Sequence, residues 1–251
     1  MRGLFLLLLF IPALVHTQNK LPYIVGERSE FDISFGGIKV GSAEISIENR
    51  RKIKGISTFH IVGKGKTSRF FDWFFKVRDV YETYLDTSSI LPVKFIRDVY
   101  EGGHKINQKY VFNHIENRVF SEDTSYIIPK GSQDMLSALF YARTFSKEIL
   151  RQKKGFFIPI FMDEETYFLE VIHLYNEMIS TNFGKINCMV FKPKMQEGRV
   201  FKEEESMKIW ISSDKNKLLV KVEAKIWAGT IKAKLIGYQK IKYPLSIIKE
   251  H

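Results

Sequence analysis

From Gly26 onward, apolar and polar positions alternate in short runs broken by turn residues. Phe31, Ile33 and Phe35 alternate with Asp32 and Ser34, and Gly36-Gly37 then turns the chain. Ala43, Ile45 and Ile47 next alternate with Glu44, Ser46 and Glu48. A period of two on both sides of a Gly-Gly pair is the pattern of a β-hairpin. Similar runs predict strands over 56–63, 77–85, 92–100, 104–113, 156–162, 167–175, 185–193, 206–212, 218–227 and 230–238. Weaker ones fall at 118–122 and 125–128. The segment 132–143 breaks this rhythm. Met135, Leu136, Leu139 and Phe140 recur at helical spacing. Ser132 is the candidate N-cap, and Asp134 sits in the first turn, where the helix dipole favours a carboxylate. A shorter helical turn is expected at 68–75. The expected fold is therefore all-β and mainly antiparallel: a barrel-like or wrapped sheet with one main helix near residues 132–145. Residues 18–251 read as a single β-rich domain.

The first twenty residues follow a different pattern. Arg2 precedes the unbroken apolar run Leu4 to Ile11, which resumes after Pro12 as Ala13-Leu14-Val15. Val15 and Thr17 stand at the −3 and −1 spacing of a cleavage site. Residues 1–17 are thus read as a signal peptide, with a core too short for a permanent span. No cysteine follows that core, so no lipid-attachment site is expected. The mature chain should be periplasmic or secreted, with no transmembrane segment after processing.

Composition narrows this reading. The 251 residues are 45% hydrophobic and 14% aromatic, enough for a large core, and they carry one cysteine, Cys188. A lone thiol makes no internal disulfide, and no Asn-x-Ser/Thr acceptor occurs after residue 17. Both absences point to a bacterial periplasm rather than an animal extracellular space. Cys188 reads as a small buried hydrophobe of the strand near 186–191. The net charge is +11. In an exported protein that charge meets lipid head groups, lipopolysaccharide or acidic glycan, and nucleic acid is not expected as a partner.

Motifs of catalysis are sparse. Gly-x-Ser-x-Gly is absent, and Ser212-x-x-Lys215 and Ser246-x-x-Lys249 fall in a turn and in the tail. His60, His104, His114, His173 and His251 are scattered, so neither a metal site nor a cofactor is expected. Asp163-Glu164-Glu165 and Glu203-Glu204-Glu205 read as solvated turns. Asp79, Glu82, Asp98 and Glu101 lie on strands expected to pair, beside Arg78 and Arg97; buried Arg–carboxylate pairing is favoured over glycosidase chemistry. Phe70, Phe71, Trp73, Phe74 and Phe75 crowd one segment and read mainly as core, with a hydrophobic mouth or insertion edge as the alternative. The run His104, Ile106, Gln108, Tyr110, Phe112 mixes polar and aromatic groups on one face, as an unsealed barrel interior would. Lys208, Lys221, Lys225, Lys232 and Lys234 fall on the polar face of the last three strands. Val220, Val222, Ile231 and Ala233 are their expected opposite-face partners.

Several strings resemble a bacterial exported family, the domain of unknown function numbered 3108. They are Trp73-Phe74-Phe75-Lys76-Val77-Arg78-Asp79-Val80-Tyr81-Glu82, Leu91-Pro92, Tyr100-Glu101-Gly102-Gly103, Gln133 to Arg143, Ile158-Pro159, Ile209-Trp210-Ile211-Ser212 and Val220-Lys221-Val222-Glu223. In order and spacing they cover nearly the whole mature chain. The resemblance implies an exported β-rich, barrel-like sheet, similar in architecture to the half-barrels of periplasmic lipoprotein carriers, and implies no activity.

The sequence thus reads as a non-enzymatic envelope protein that binds, carries or helps assemble an amphipathic or anionic component. Candidate binding residues are Trp73, Arg78, Asp79, Tyr81, Arg97, Tyr110, Gln133, Asp134 and Arg143, with the five lysines as a basic face. Two alternatives stand beside it: an envelope-glycan hydrolase using the Arg–carboxylate cluster, and a purely structural interaction module.

Overall fold

The computed structural model describes residues 21–122, 124–195 and 207–248. Residues 1–17, read above as a signal peptide, Glu203-Glu204-Glu205 and Lys249 lie outside the described residues. The strands are β1 (Arg28–Phe35), β2 (Ile38–Ile53), β3 (Ile56–Thr67), β4 (Val77–Asp86), β5 (Pro92–Glu101), β6 (His104–Asn113), β7 (Arg118–Phe120) and β8 (Ser125–Ile127). After helices α1 (Met135–Arg143) and α2 (Lys147–Leu150) come β9 (Phe156–Met162), β10 (Glu165–Thr181), β11 (Gly184–Met195), β12 (Met207–Ser212), β13 (Leu219–Ile226), β14 (Gly229–Gln239) and β15 (Ile247–Ile248). They form one sheet in the order β8-β7-β6-β5-β4-β3-β2-β1-β14-β13-β12-β11-β10-β9, with β15 on β11. Every strand pairing is antiparallel.

The alternating pattern makes these strands, and glycine turns them. Gly36 and Gly37 have φ of 56° and 90°, and Gly102 and Gly103 have 55° and 100°. Consecutive left-handed residues make the tight turn whose twist matches the flanking strands. β2 and β10 run to 16 and 17 residues, well past their predicted ends. Register shifts at Ile47/Asn49 and His173/Tyr175 explain the difference. A bulge puts the alternation out of phase, so one long strand reads as two unrelated runs.

α1 lies on one face of the sheet and joins two apolar clusters. Leu136 and Phe140 pack with Tyr23, Ile47, Phe59, Ile61 and Leu85. Ala138, with Leu139 and Ala142, packs with Phe156, Ile158, Met189 and Ile211. The helix is therefore apolar on two sides rather than on one, and Met135, predicted to face inward, is exposed. Its N-cap is Asp134, not Ser132. The Asp134 carboxylate accepts from the amides of Leu136 (2.9 Å) and Ser137 (2.8 Å), and Ser137 Oγ accepts from the Asp134 amide (2.8 Å). Thr83 Oγ1 on β4 donates to the same carboxylate at 2.6 Å, pinning the helix start to the sheet. Ser132 Oγ instead donates to the Pro129 carbonyl.

Gln133 nearly closes the barrel. Its amide donates to Pro159 O and its carbonyl accepts from the Phe161 amide, both at 2.8 Å. The segment leaving β8, at one end of the sheet, is thereby stitched to β9 at the other. Phe161 then packs against Tyr110, Phe112 and Tyr126 across the seam. The sheet is barrel-like, as its pattern predicts.

Candidate functional site

Beneath α1, on the side of β9 to β12, the packing leaves a cavity of about 170 Å³. Ala138, Leu139 and Ala142 form one wall; Ile158, Ile160, Leu169 and Val171 form another; Phe191, Ile209 and Ile211 complete it. The alanines create the space, because larger side chains on that helical face would fill it. An apolar cavity of this size has no partners for water and accepts a nonpolar group. Arg143 and Lys217 are the charged residues on its lining. Lys217 Nζ donates to the Arg143 carbonyl at 2.9 Å. Burial, with help from the Arg143 charge, holds the Lys217 pKa below its ordinary value.

Arg143 itself is fully engaged. Its Nη1 and Nη2 donate to Glu27 Oε1 (2.6 Å) and Oε2 (3.0 Å), and its Nε donates to Asn216 O (3.0 Å). The guanidinium lies 5.1 Å from the Tyr23 ring centroid and 5.2 Å from that of Phe140. Both charged side chains are 4% exposed. Arg143, Gln133 and Asp134, three candidate binding residues, are thus buried; the polar groups of Arg143 and Asp134 are committed inside the protein, and Gln133 Oε1 is buried with no hydrogen-bond partner among the described residues. Gln133 Nε2 donates to Ile90 O.

A polar cluster occupies the same face near the other end of the curl. Asp79 stands opposite Val99, and Tyr81 opposite Arg97. Glu101 and Gln108 share that face through the β5 and β6 registers. Arg97 Nη1 and Gln108 Nε2 both donate to Asp163 Oδ1, at 2.9 and 3.1 Å. Arg97 also lies 6.0 Å from the Tyr81 ring. Tyr110 is buried beneath, its hydroxyl pushed up to about 12 by burial and the nearby Asp163. Asp98 faces the opposite side, and Glu82 is taken up by His60 at 2.6 Å. The four carboxylates expected together are therefore split, and only Asp79 and Glu101 meet. Arg78 turns outward to Asp72, with Nη1–Oδ1 at 2.9 Å.

Burial and the Glu101 carboxylate raise the Asp79 pKa to about 6. Burial moves Asp134 the same way, also to about 6. Between about pH 4 and 6 the folded chain holds protons that the unfolded chain releases, so stability falls as pH rises across that window. The melting temperature should be higher at pH 5 than at pH 7. Asp79→Asn should flatten part of that slope, leaving the Asp134 share. An unchanged slope in Asp79→Asn would show that Asp79 titrates normally.

The five lysines share one face: Lys221 pairs across from Lys234, Glu223 from Lys232, and Lys208 from Glu223. They are partly neutralised by the glutamate between them. Lys221 meets Glu223 at 3.0 Å and Lys232 meets it at 3.6 Å. Lys208 reaches the Tyr175 hydroxyl at 3.4 Å. Lys225 and Lys234 make no ion pair among the described residues. Val220 is corrected: the bulge at Trp210/Ile211 sets it, like Lys221, against Trp210 instead of on the opposite face.

The remaining candidates resolve structurally. Ser212 Oγ donates to Asp214 Oδ1 and accepts from the Leu218 amide, while Lys215 lies over Tyr243. Cys188 is buried among apolar neighbours, and burial pushes its thiol up to about 12. The aromatic run 70–75 forms a short 3-10 turn, Phe71–Trp73, and it is exposed rather than core: Trp73 is 85% accessible. Sequence reading missed the cavity lining and Lys217. The run Phe156 to Met162 is apolar at consecutive positions, yet Phe156, Ile158 and Ile160 are buried while Phe157 is exposed, so the run alone does not say which face of β9 meets the cavity.

Among the described residues no helix is long and apolar enough to cross a membrane, which says nothing about strands. The structure is similar to the β-barrel-like protein of domain of unknown function DUF1849 from Brucella abortus. The two share 9% identity and a TM-score of 0.58, over 88% of this chain and 100% of that one. That likeness shows the fold. Weaker likenesses are to the hypothetical protein CT021 from Chlamydia trachomatis (7% identity, TM-score 0.39, 93% of this chain and 96% of that one). Another is to a protein assigned as exported, with a YmcC-like fold, from Bacteroides fragilis (9%, 0.31, 88% and 98%). No curated protein matches the chain in sequence. The family model of the proteins of unknown function DUF3108 matches residues 30–236, and the chain belongs to that family.

Proposed function

We propose that this protein binds an amphipathic envelope molecule with an apolar tail and an anionic head. The observation that carries this reading is the apolar cavity under α1, with Lys217 on its lining. The tail replaces empty space along Ala138, Ala142, Ile158 and Ile211. The head meets the Lys217 ammonium. Arg143 does not compete for it, because Glu27 already neutralises that guanidinium.

Ala142→Phe fills the cavity from the helix side without touching the Glu27–Arg143 pair. It should weaken binding of a fluorescent fatty acid at least about tenfold, the loss expected when two methylenes are kept out of the cavity. The melting temperature should stay the same or rise. Equal affinity in a folded Ala142→Phe protein would rule out this cavity as the site.

A further inference from the structure

One end of the sheet carries a row of projecting aromatic side chains. In the strand order β13-β14-β1-β2-β3-β4, the turns β13/β14, β1/β2 and β3/β4 follow one another along one rim. Trp227 at the first is 91% exposed, Ile38 at the second 64%, and Trp73 and Phe74 at the third 85% and 65%. The chain has three tryptophans; Trp210 is buried, and the other two stand on this rim.

The β3/β4 turn is tied at both ends. Asp72 accepts two hydrogen bonds from Arg78 and one from Thr67 Oγ1, which fixes the 3-10 turn. The Ser68 amide donates to Val40 O, and the Gly102 amide to Lys76 O, strapping the turn to both neighbours. Gly102 has a φ of 55°, and a Cβ there would fall 2.2 Å from the exposed Phe75 ring, which would have to move. Trp73 and Phe74 are therefore presented outward by a built scaffold.

The charge around them is positive. Three carboxylates along this stretch already have a cation: Asp72 has Arg78, Asp32 has Lys39, and Glu223 has Lys221; Asp79, near the start of β4, is set against Glu101 instead. Arg69, Lys76 and Lys225 are exposed and make no ion pair among the described residues.

We infer that this rim docks on an anionic lipid bilayer, inserting Trp73, Phe74 and Trp227 at the level of the head groups. The apolar groups stand on separate turn tips. A rigid protein face would need a matching row of pits, whereas a bilayer interface closes around each tip. Indole rings, apolar in body with one N–H donor, favour that depth. The unpaired cations beside them attract anionic head groups. This surface is separate from the cavity, so either reading can fail alone.

The test uses the intrinsic fluorescence of the full chain with phosphatidylglycerol–phosphatidylcholine vesicles. All three tryptophans lie among the described residues, so the signal reports on them. Anionic vesicles should shift the emission to the blue, brominated lipids should quench it, and salt should weaken the effect. The double variant Trp73→Ser/Phe74→Ser should keep the wild-type melting temperature, since both groups are exposed. Its quenching by brominated lipid, now reported by Trp227, should need at least about tenfold more lipid. Three results would each overturn the inference. They are no shift with anionic vesicles, equal response to purely zwitterionic vesicles, and an unaltered lipid requirement in the double variant. A rim that shifts only on adding a protein from the same envelope is a protein interface instead.

Discussion

Breaking the Glu27–Arg143 pair should cost about 3–5 kcal/mol of folding stability, the penalty for leaving one buried charge alone. Glu27 lies just before β1, Arg143 ends α1, and Asn216 sits between β12 and β13, so one guanidinium ties three distant segments. Arg143→Met removes that tie and strands the Glu27 carboxylate in a site that is 4% exposed. Glu27→Gln keeps the shape but leaves the cation unbalanced. The double variant Glu27→Leu/Arg143→Met should recover most of the loss, because desolvating the pair offsets much of its attraction. Urea unfolding of the four proteins, with slopes compared, measures this. A single variant that loses under 1 kcal/mol would mean water reaches the pair.

The second large effect is at Phe140. Its ring is 1% exposed and meets Tyr23 edge-on at 5.1 Å. Phe140→Ala should destabilise by about 3–5 kcal/mol, through lost burial plus the cavity left behind. Leu139→Ala, one residue away, should cost about 2 kcal/mol, the low end for leucine. Leu139 already borders empty space and is only partly buried. Both are read as melting curves and denaturant midpoints. If Leu139→Ala costs as much as Phe140→Ala, then α1 is seated evenly on both clusters and the cavity side is packed.

Much of this fold was legible because strand alternation is a local property. β6 begins at His104 and ends at Asn113, the limits predicted from its alternation, since Gly102-Gly103 punctuates its start. β2 was legible only in part, because the bulge near Ile47 hides the continuation of the strand. α2 and β15 were missed: four and two residues carry too little periodicity to register. The site was less readable. Asp79 and Asp98 look like partners in sequence, yet the β4–β5 register sends them to opposite faces. An empty space is invisible in sequence, since Ala138 and Ala142 only leave room once β9 to β12 are opposite them. The aromatic run 70–75 misled because hydrophobicity alone does not distinguish a core from an exposed tip.

The middle of the sheet has a kinetic consequence. β1 is flanked by β2 on one side and by β14 on the other, with Arg28 opposite Gln239. Strands β2 to β8 can zip as successive hairpins while the chain is still emerging, and so can β9 to β13. The bond that joins these two meanders into one wall is the β1–β14 seam, and its second half is made only after β2 to β13. Until then β1 presents an unpaired edge, the geometry that invites pairing with another chain. Closing so long a loop is entropically slow. A chain that has made β1 to β13 but not yet β14 is the species most in need of protection from aggregation.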